Sequence, residues 1–192
     1  MLTIEDAPDT DLVTLASVKT ALSVTGTGDD AWLGDLIDRA SAAVVSFCGW
    51  PILSGSYSET IETDGRTHTI LLSRFPVSAV TGLTLDGVDV TADMDWKVQA
   101  GGGLTRWKDH RSTPWPRGAV VVEYDAGYAT APDDVQAATI ELVRQWFDRN
   151  RDPNIKATSY ADTTSVSYVV NPPGLPAVVR DLLTPHRLPG LR

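Results

Sequence analysis

One cysteine in 192 residues, Cys48, leaves no internal disulfide. Its place at the end of an apolar helical stripe makes it a small core residue rather than a reactive thiol. Basic residues are scarce too: 16 Lys and Arg stand against 25 Asp and Glu, a net charge of −9. Proteins whose main task is gripping nucleic acid neutralise phosphates with Lys and Arg, so this balance argues against that class. No apolar run approaches the roughly 20 residues of a membrane span. The opening MLTIEDAPDTDL is acidic and lacks the apolar core of a signal peptide. A reducing, soluble compartment is the expected setting.

The motifs of catalysis are missing as well. His68, His110 and His186 are scattered singly, with no HExxH pair and no cysteine partners, so no zinc site is expected. No serine sits in a GxSxG elbow. The GGGLTR stretch at Gly101–Arg106 lacks the spacing of a phosphate-binding loop and reads as a hairpin tip. Asp86, Asp89, Asp93 and Asp95 lack the central glycine and terminal glutamate of a calcium loop and read as a solvated rim. No catalytic residue, metal or cofactor is expected, and the chain is not read as an enzyme.

What is there describes a folded domain. Hydrophobic residues make up 42% of the chain, with six tryptophans, enough to bury a real core. Residues 1–50 carry 2 basic and 8 acidic residues, 51–150 carry 9 and 14, and 151–192 carry 5 and 3. The acid is therefore concentrated early, and the end is slightly basic. Residues 1–13 read as an N-terminal arm. Thr14 caps a short helix with Leu15, Val18, Ala21 and Leu22 on one face, ended by the glycines of TGTGDD. A longer helix follows from about Asp29 to Cys48, where Trp32, Leu33, Leu36, Ile37, Ala40, Ala43, Val44 and Phe47 keep a helical period. Gly49, Trp50 and Pro51 stop it.

A second strong helix runs over 132–149. Pro132, Asp133 and Asp134 suit a first turn, because proline lacks the N–H that would be unpaired there and carboxylates face the positive dipole end. Val135, Ala138, Thr139, Leu142, Val143, Trp146 and Phe147 make its buried stripe, and Asn150, Asp152 and Pro153 end it. Between the helices, about 55–125, the pattern is that of strands: Tyr57 to Glu62, Thr67 to Leu72, Val80 to Leu85, Val88 to Val90, Asp95 to Gln99, Leu104 to Lys108 and Ala119 to Tyr124. Asp64-Gly65 and Asp86-Gly87 each read as a hairpin turn. The expected fold class is α+β: a helical core of an antiparallel helix pair plus short helices over 14–153, an inserted small antiparallel β module on its side, and an extended C-terminal tail over 154–192.

Two stretches carry candidate contacts. Leu175, Val178, Val179, Leu182 and Leu183 form a short amphipathic helix beyond a polar segment, which either docks on another chain or folds back on its own core. RWKDHRSTPWPRG interleaves Arg106, Lys108, Arg111 and Arg117 with Trp107 and Trp115. Such a mixture serves a protein interface, where Trp and Arg are enriched, or a nucleic-acid-binding module, by gripping phosphates and stacking bases.

Two regions together resemble a known family. DLVTLASVKTALSVTGTGDDAWLGDLIDRASAAVVSFCGWPI, from Asp11 to Ile52, leads from a short helix through a Gly/Asp turn into a long helix that ends at an aromatic-Pro step. The stretch from Tyr124 to Pro153 adds Tyr-x-x-Gly-Tyr, a helix-starting proline and a closing Arg-Asp-Pro. Both are similar to the head–tail connector, or head-completion adaptor, proteins of tailed phages and gene transfer agents. The resemblance implies a virion protein without catalytic chemistry, assembled in the bacterial cytoplasm. Its copies form a dodecameric ring beneath the portal, extend the DNA channel without binding DNA specifically, and present a surface to the next tail-proximal (stopper) protein. It also implies that the C-terminal helix residues Leu175, Val178, Val179, Leu182 and Leu183 dock on the portal. Compact members of the family are essentially helical, so the β insert marks a departure toward longer members.

Overall fold

The computed structural model describes residues 1–6, 10–89, 95–99, 101–108, 111–151 and 175–187. The chain divides into two compact units, one of Met1–Asp9 with Pro51–Thr130 and one of Thr10–Trp50 with Ala131–Arg192. Much of the expected tail, as well as Asp93, His110 and the Lys108 side chain, lies outside the described residues.

The second unit holds helices α1 (Leu15–Leu22), α2 (Asp30–Cys48), α3 (Asp133–Arg151) and α4 (Ala177–Leu183), the last running into a 3-10 turn at Thr184–His186. Thr14 caps α1, its hydroxyl accepting from the Ser17 N–H at 3.2 Å. Gly49 closes α2 in the left-handed region, φ 81°, where it donates to Val45 O at 2.9 Å; glycine adopts that conformation without a Cβ penalty. Helix α2 buries Leu33, Leu36, Ile37, Ala40, Ser41, Val44 and Cys48, one continuous stripe. Helix α3 answers with Val135, Ala138, Thr139, Leu142, Val143 and Phe147. The two buried hydroxyls are both satisfied: Ser41 Oγ accepts from the Leu12 N–H, and Thr139 donates to Val135 O. Trp32, early in α2, stacks on Phe147, late in α3, with centroids 4.8 Å apart. Trp50, just past the end of α2, and Asp134, at the start of α3, both reach His186. The helices therefore run antiparallel, as the sequence pattern implies.

The first unit is built from two antiparallel sheets. One has the order β1 (Leu2–Asp6), β2 (Gly55–Thr63), β9 (Gly118–Ala126), β4 (Val77–Leu85), β5 (Val88–Asp89). The other has the order β3 (Thr69–Leu71), β7 (Gly103–Lys108), β6 (Asp95–Val98), with β8 (Arg111–Ser112) also on β7. Strands β2 and β9 pair without interruption from Gly55↔Ala126 to Thr63↔Gly118. Alternate residues of β9, Val120, Val122, Tyr124 and Ala126, point into the core, where Tyr57 and Leu83 of the first sheet meet Leu104 and Ile70 of the second. Trp115 fills the middle, and its indole N–H donates to Leu104 O at 3.3 Å. Each such large side chain contributes roughly 1.5–3 kcal/mol by leaving water.

Mixed α+β architecture stands, but the description as a helical core with a β appendage is too helix-dominated. The β unit closes a core of its own because its strands alternate inward apolar residues on two facing sheets and need no helix to cover them. Leu2–Asp6, read as part of an arm, forms edge strand β1, with the Thr60 N–H donating to Met1 O at 2.8 Å. Asp86-Gly87 does make a tight hairpin, both residues at positive φ, 49° and 79°. Asp64-Gly65 does not: Asp64 Oδ1 accepts from the Arg66 N–H, the Thr67 N–H and the Thr67 hydroxyl. That side chain bends the backbone out of one sheet and into the other.

Gly127 sits at φ 109°, where a Cβ would run into the Leu53 carbonyl. Gly127→Ala is expected to cost about 1–3 kcal/mol in urea denaturation. Gly34→Ala, in a helix interior where a Cβ meets nothing within 4 Å, is expected to add about 0.5–1 kcal/mol.

Candidate assembly surfaces

Helix α4 follows Pro176 and packs on α3 and α2 of its own unit. Val179 and Leu183 are fully buried, Leu175 and Leu182 are half-buried, and Val178 is 61% exposed. Polar contacts hold the end of this segment. The Trp50 indole N–H donates to His186 O at 2.7 Å, and His186 Nε2 lies 2.6 Å from Asp134 Oδ2. The Arg187 guanidinium stands 5.3 Å from the centre of the Phe47 ring, within cation–π range. The five positions expected to share a partner-binding face are thus split: two sit in the core and one faces outward.

Electrostatics follow from this packing. Burial pushes the Asp134 carboxyl upward, but the hydrogen bond from His186 and the Val135 N–H outweigh it and leave it below the usual carboxylate value. Burial pushes the nearby Cys48 thiol up to about 11, so it stays a thiol at neutral pH. Neither Asp134 nor His186 stood out in the sequence as a pair, since 52 residues separate them.

The basic and aromatic segment is likewise divided. Trp115 is buried, at 1% exposure. Arg106 donates from Nη1 to Pro114 O at 2.8 Å, which turns it inward to brace its own loop. Trp107 is half-buried beneath Lys97, whose Nζ lies 4.5 Å from the ring centre. Arg111 and Arg117 remain exposed. The connection between β2 and β3 brings Arg66 beside this segment, the Trp115 N–H donating to Thr67 O at 2.8 Å, from a stretch that no sequence motif linked to this one. Arg66 and Arg117 line one recess of about 560 Å³ with Glu62, Thr63, Asp64 and Gly118.

A third polar cluster had no sequence signal beyond strand alternation. Glu59 faces inward from β2 at 7% exposure. Its carboxylate accepts from the Ser73 N–H at 2.9 Å, the Ser73 hydroxyl at 2.5 Å and the Tyr124 hydroxyl at 3.0 Å. Burial and the Glu59 charge push the Tyr124 hydroxyl far above its ordinary value. A buried carboxylate with three donors is a satisfied structural anchor, here fixing the loop after β3 to the middle of the first sheet. Among the described residues, no group of three His, Cys, Asp or Glu is placed to hold a metal ion.

The family model described as Head completion protein matches residues 11–188. The chain belongs to that family. The match spans both compact units, so it covers the β insert as well as the helices. No curated protein sequence matches the chain. Among solved structures, a chain from the "Neck of empty GTA particle computed with C6 symmetry" is similar at TM-score 0.61 and 20% identity, over 97% of this chain and 95% of that one. A chain from the "Neck of native GTA particle computed with C12 symmetry" matches at TM-score 0.61 and 19% identity, over 97% and 94%. One from the "Virion of native gene transfer agent (GTA) particle" matches at 0.59 and 21%, over 97% and 95%. At these identities the likeness is one of fold.

The Asp134 contact sets a pH dependence. A carboxyl whose folded value is depressed contributes stability that is complete above its unfolded value, near 4, and is lost as pH falls through the folded one. Urea midpoints of wild type and Asp134→Asn are expected to differ near pH 5 and to converge as pH falls below about 4. His186→Ala is expected to cost about 1 kcal/mol at neutral pH and to speed proteolytic cleavage in 175–187. Equal midpoints throughout would show that the contact holds nothing.

Proposed function

We propose that this protein is a structural adaptor in the neck of a tailed phage or phage-like particle. Its copies form a ring under the portal, extend the DNA channel and join head to tail, with no catalysis involved. The observation that carries the reading is the family match running from residue 11 to 188, which leaves neither unit unaccounted for. The fold likeness to chains of gene transfer agent necks supports it, and the C12 and C6 symmetries named for those particles agree with a ring of twelve. The charge of −9 suits a channel through which DNA slides, since like charge limits sticking.

Portal docking through the C-terminal helix takes a narrower form than the sequence implied. With Val179 and Leu183 seated in their own unit, the outward position Val178, flanked by half-buried Leu175 and Leu182, is the part of that helix offered to the portal. A nucleic-acid-binding module over 106–117 is the weaker reading, because the Trp115 ring is inaccessible for stacking and Arg106 is tied to a carbonyl.

Cutting the chain after Asn171 removes the portal contact but also strips two side chains from the core, so a point change separates the effects better. Val178→Asp is expected to leave the urea midpoint within about 0.5 kcal/mol of wild type while reducing co-sedimentation with assembled portal rings about tenfold or more. Undiminished co-sedimentation excludes this helix face as the portal contact.

A further inference from the structure

Three exposed arginines of the β unit lie on one ribbon. Segments 64–68 and 111–118 run antiparallel side by side: Gly65 lies against Arg117, the Trp115 N–H donates to Thr67 O at 2.8 Å, and His68 Nδ1 is 3.1 Å from Ser112 Oγ. Arg66, Arg111 and Arg117 project along this ribbon, and none of them forms an ion pair among the described residues. Asp64, which lines the same recess as Arg66 and Arg117, already accepts three hydrogen bonds through Oδ1. In a chain with 25 acids against 16 bases, this is a local concentration of guanidinium groups, two of which share their recess with Glu62 and Asp64.

A matching surface exists on α2. Ala31, Asp35, Asp38 and Ala42 fall on one exposed stripe, flanked by half-buried Gly34 on one side and exposed Arg39 on the other, and neither carboxylate is in an ion pair among the described residues. Gly34 is the telling residue. Glycine inside a helix is unfavourable relative to alanine, its backbone here is ordinary for a helix, and a Cβ would meet open space. Nothing within the subunit requires it. The missing Cβ leaves room there for a partner backbone or a flat guanidinium to approach closely.

We infer that the arginine ribbon of one copy docks on the α2 face of the next copy, with guanidinium groups paired to Asp35 and Asp38 and Gly34 admitting the close approach. This rests on the ring reading above. A ring needs a heterologous contact, two different patches on each subunit that fit each other, and guanidinium–carboxylate pairs supply both direction and specificity. DNA is the less fitting occupant, because Glu62 and Asp64 share the recess with Arg66 and Arg117. Fixed carboxylates beside the arginines oppose a continuous polyanion but tolerate a partner that brings two discrete charges.

Charge reversal with rescue tests this on the full chain mixed with assembled portal rings, ring formation being read by negative-stain imaging and sedimentation velocity. Asp35→Arg with Asp38→Arg, and separately Arg66→Glu with Arg117→Glu, are each expected to lower ring occupancy about tenfold or more. The four changes together are expected to restore it. All four positions are exposed, so folding is expected to survive, checked by circular dichroism; the milder Asp35→Ala with Asp38→Ala, which favours the helix, is expected to reduce occupancy partially. Either reversed pair assembling like wild type, or no rescue in the combination, overturns the inference and leaves the adaptor reading standing. So does a chain with Arg66→Glu and Arg117→Glu that still forms rings yet loses salt-dependent binding to duplex DNA, which would assign the ribbon to DNA. Wild type that forms no ring on the portal overturns the ring reading and this contact together.

Discussion

The uninterrupted pairing of β2 with β9 is the constraint on which the rest of the molecule depends. These strands lie far apart in sequence, yet they match residue for residue from Gly55↔Ala126 to Thr63↔Gly118. Closing so long a loop is entropically costly, and the core of Tyr57, Val120, Val122, Tyr124 and Trp115 offsets it. The pairing also holds the two ends of the insert together. The Tyr128 N–H donates to Ile52 O at 2.9 Å, and the Ser54 N–H donates to Tyr128 O at 2.9 Å. An insert whose entry and exit are adjacent can interrupt a helical domain without separating the helices on either side of it, which is why α2 and α3 still pair across about eighty intervening residues.

The buried charge within this frame has a specific job. An inward carboxylate on a central strand is unfavourable unless every lone pair facing the interior finds a donor. Glu59 finds three, two of them from Ser73. Because Ser73 lies just past β3, the same contacts that satisfy the charge also tie the second sheet's edge to the first. Truncating Glu59 therefore removes a tether between sheets, while keeping it unpaired is not an available state. The Tyr124 ring that supplies one of these donors is itself buried, 5.8 Å from the buried Tyr57 ring, and a water-poor setting strengthens such hydrogen bonds.

The helices were legible in the sequence nearly to the residue, because their information is local: a Thr14 cap, a Gly49 stop, an acidic first turn at Asp133 and Asp134, and a period that survives over many turns. The strands were legible as segments but not as partners. Asp64-Gly65 and Asp86-Gly87 are the same dipeptide, and only the second turns a hairpin, since the first has a side-chain cap that releases the chain into another sheet. The candidate surfaces were least legible. Arg66 joins Arg111 and Arg117 only where the connecting segment 64–68 meets 111–118, and Asp134 meets His186 only through helix packing. No spacing in the sequence encodes either meeting. Trp115 misled for the converse reason: it stands in a polar, proline-rich stretch between exposed Arg111 and Arg117, yet it is the largest fully buried side chain of the β unit.

How the C-terminal helix can serve an assembly follows from what already holds it. Val179 and Leu183, at roughly 1.5–3 kcal/mol each for burial, with the contacts of Trp50 and Asp134 to His186, make the seat of α4 on its own unit a bound state of several kcal/mol. A portal surface that needed all five apolar positions would have to exceed that seat before any net attraction appeared, because a ligand shifts an equilibrium only by its differential affinity for the two states. A surface that touches only the outward side of the helix meets no such competition. It also finds the helix already formed and oriented, so little ordering entropy remains to be lost on contact. The physical economy thus favours α4 as a rigid, clasped platform rather than a free arm, with Val178 its outward apolar side chain and Leu175 and Leu182 half-buried beside it.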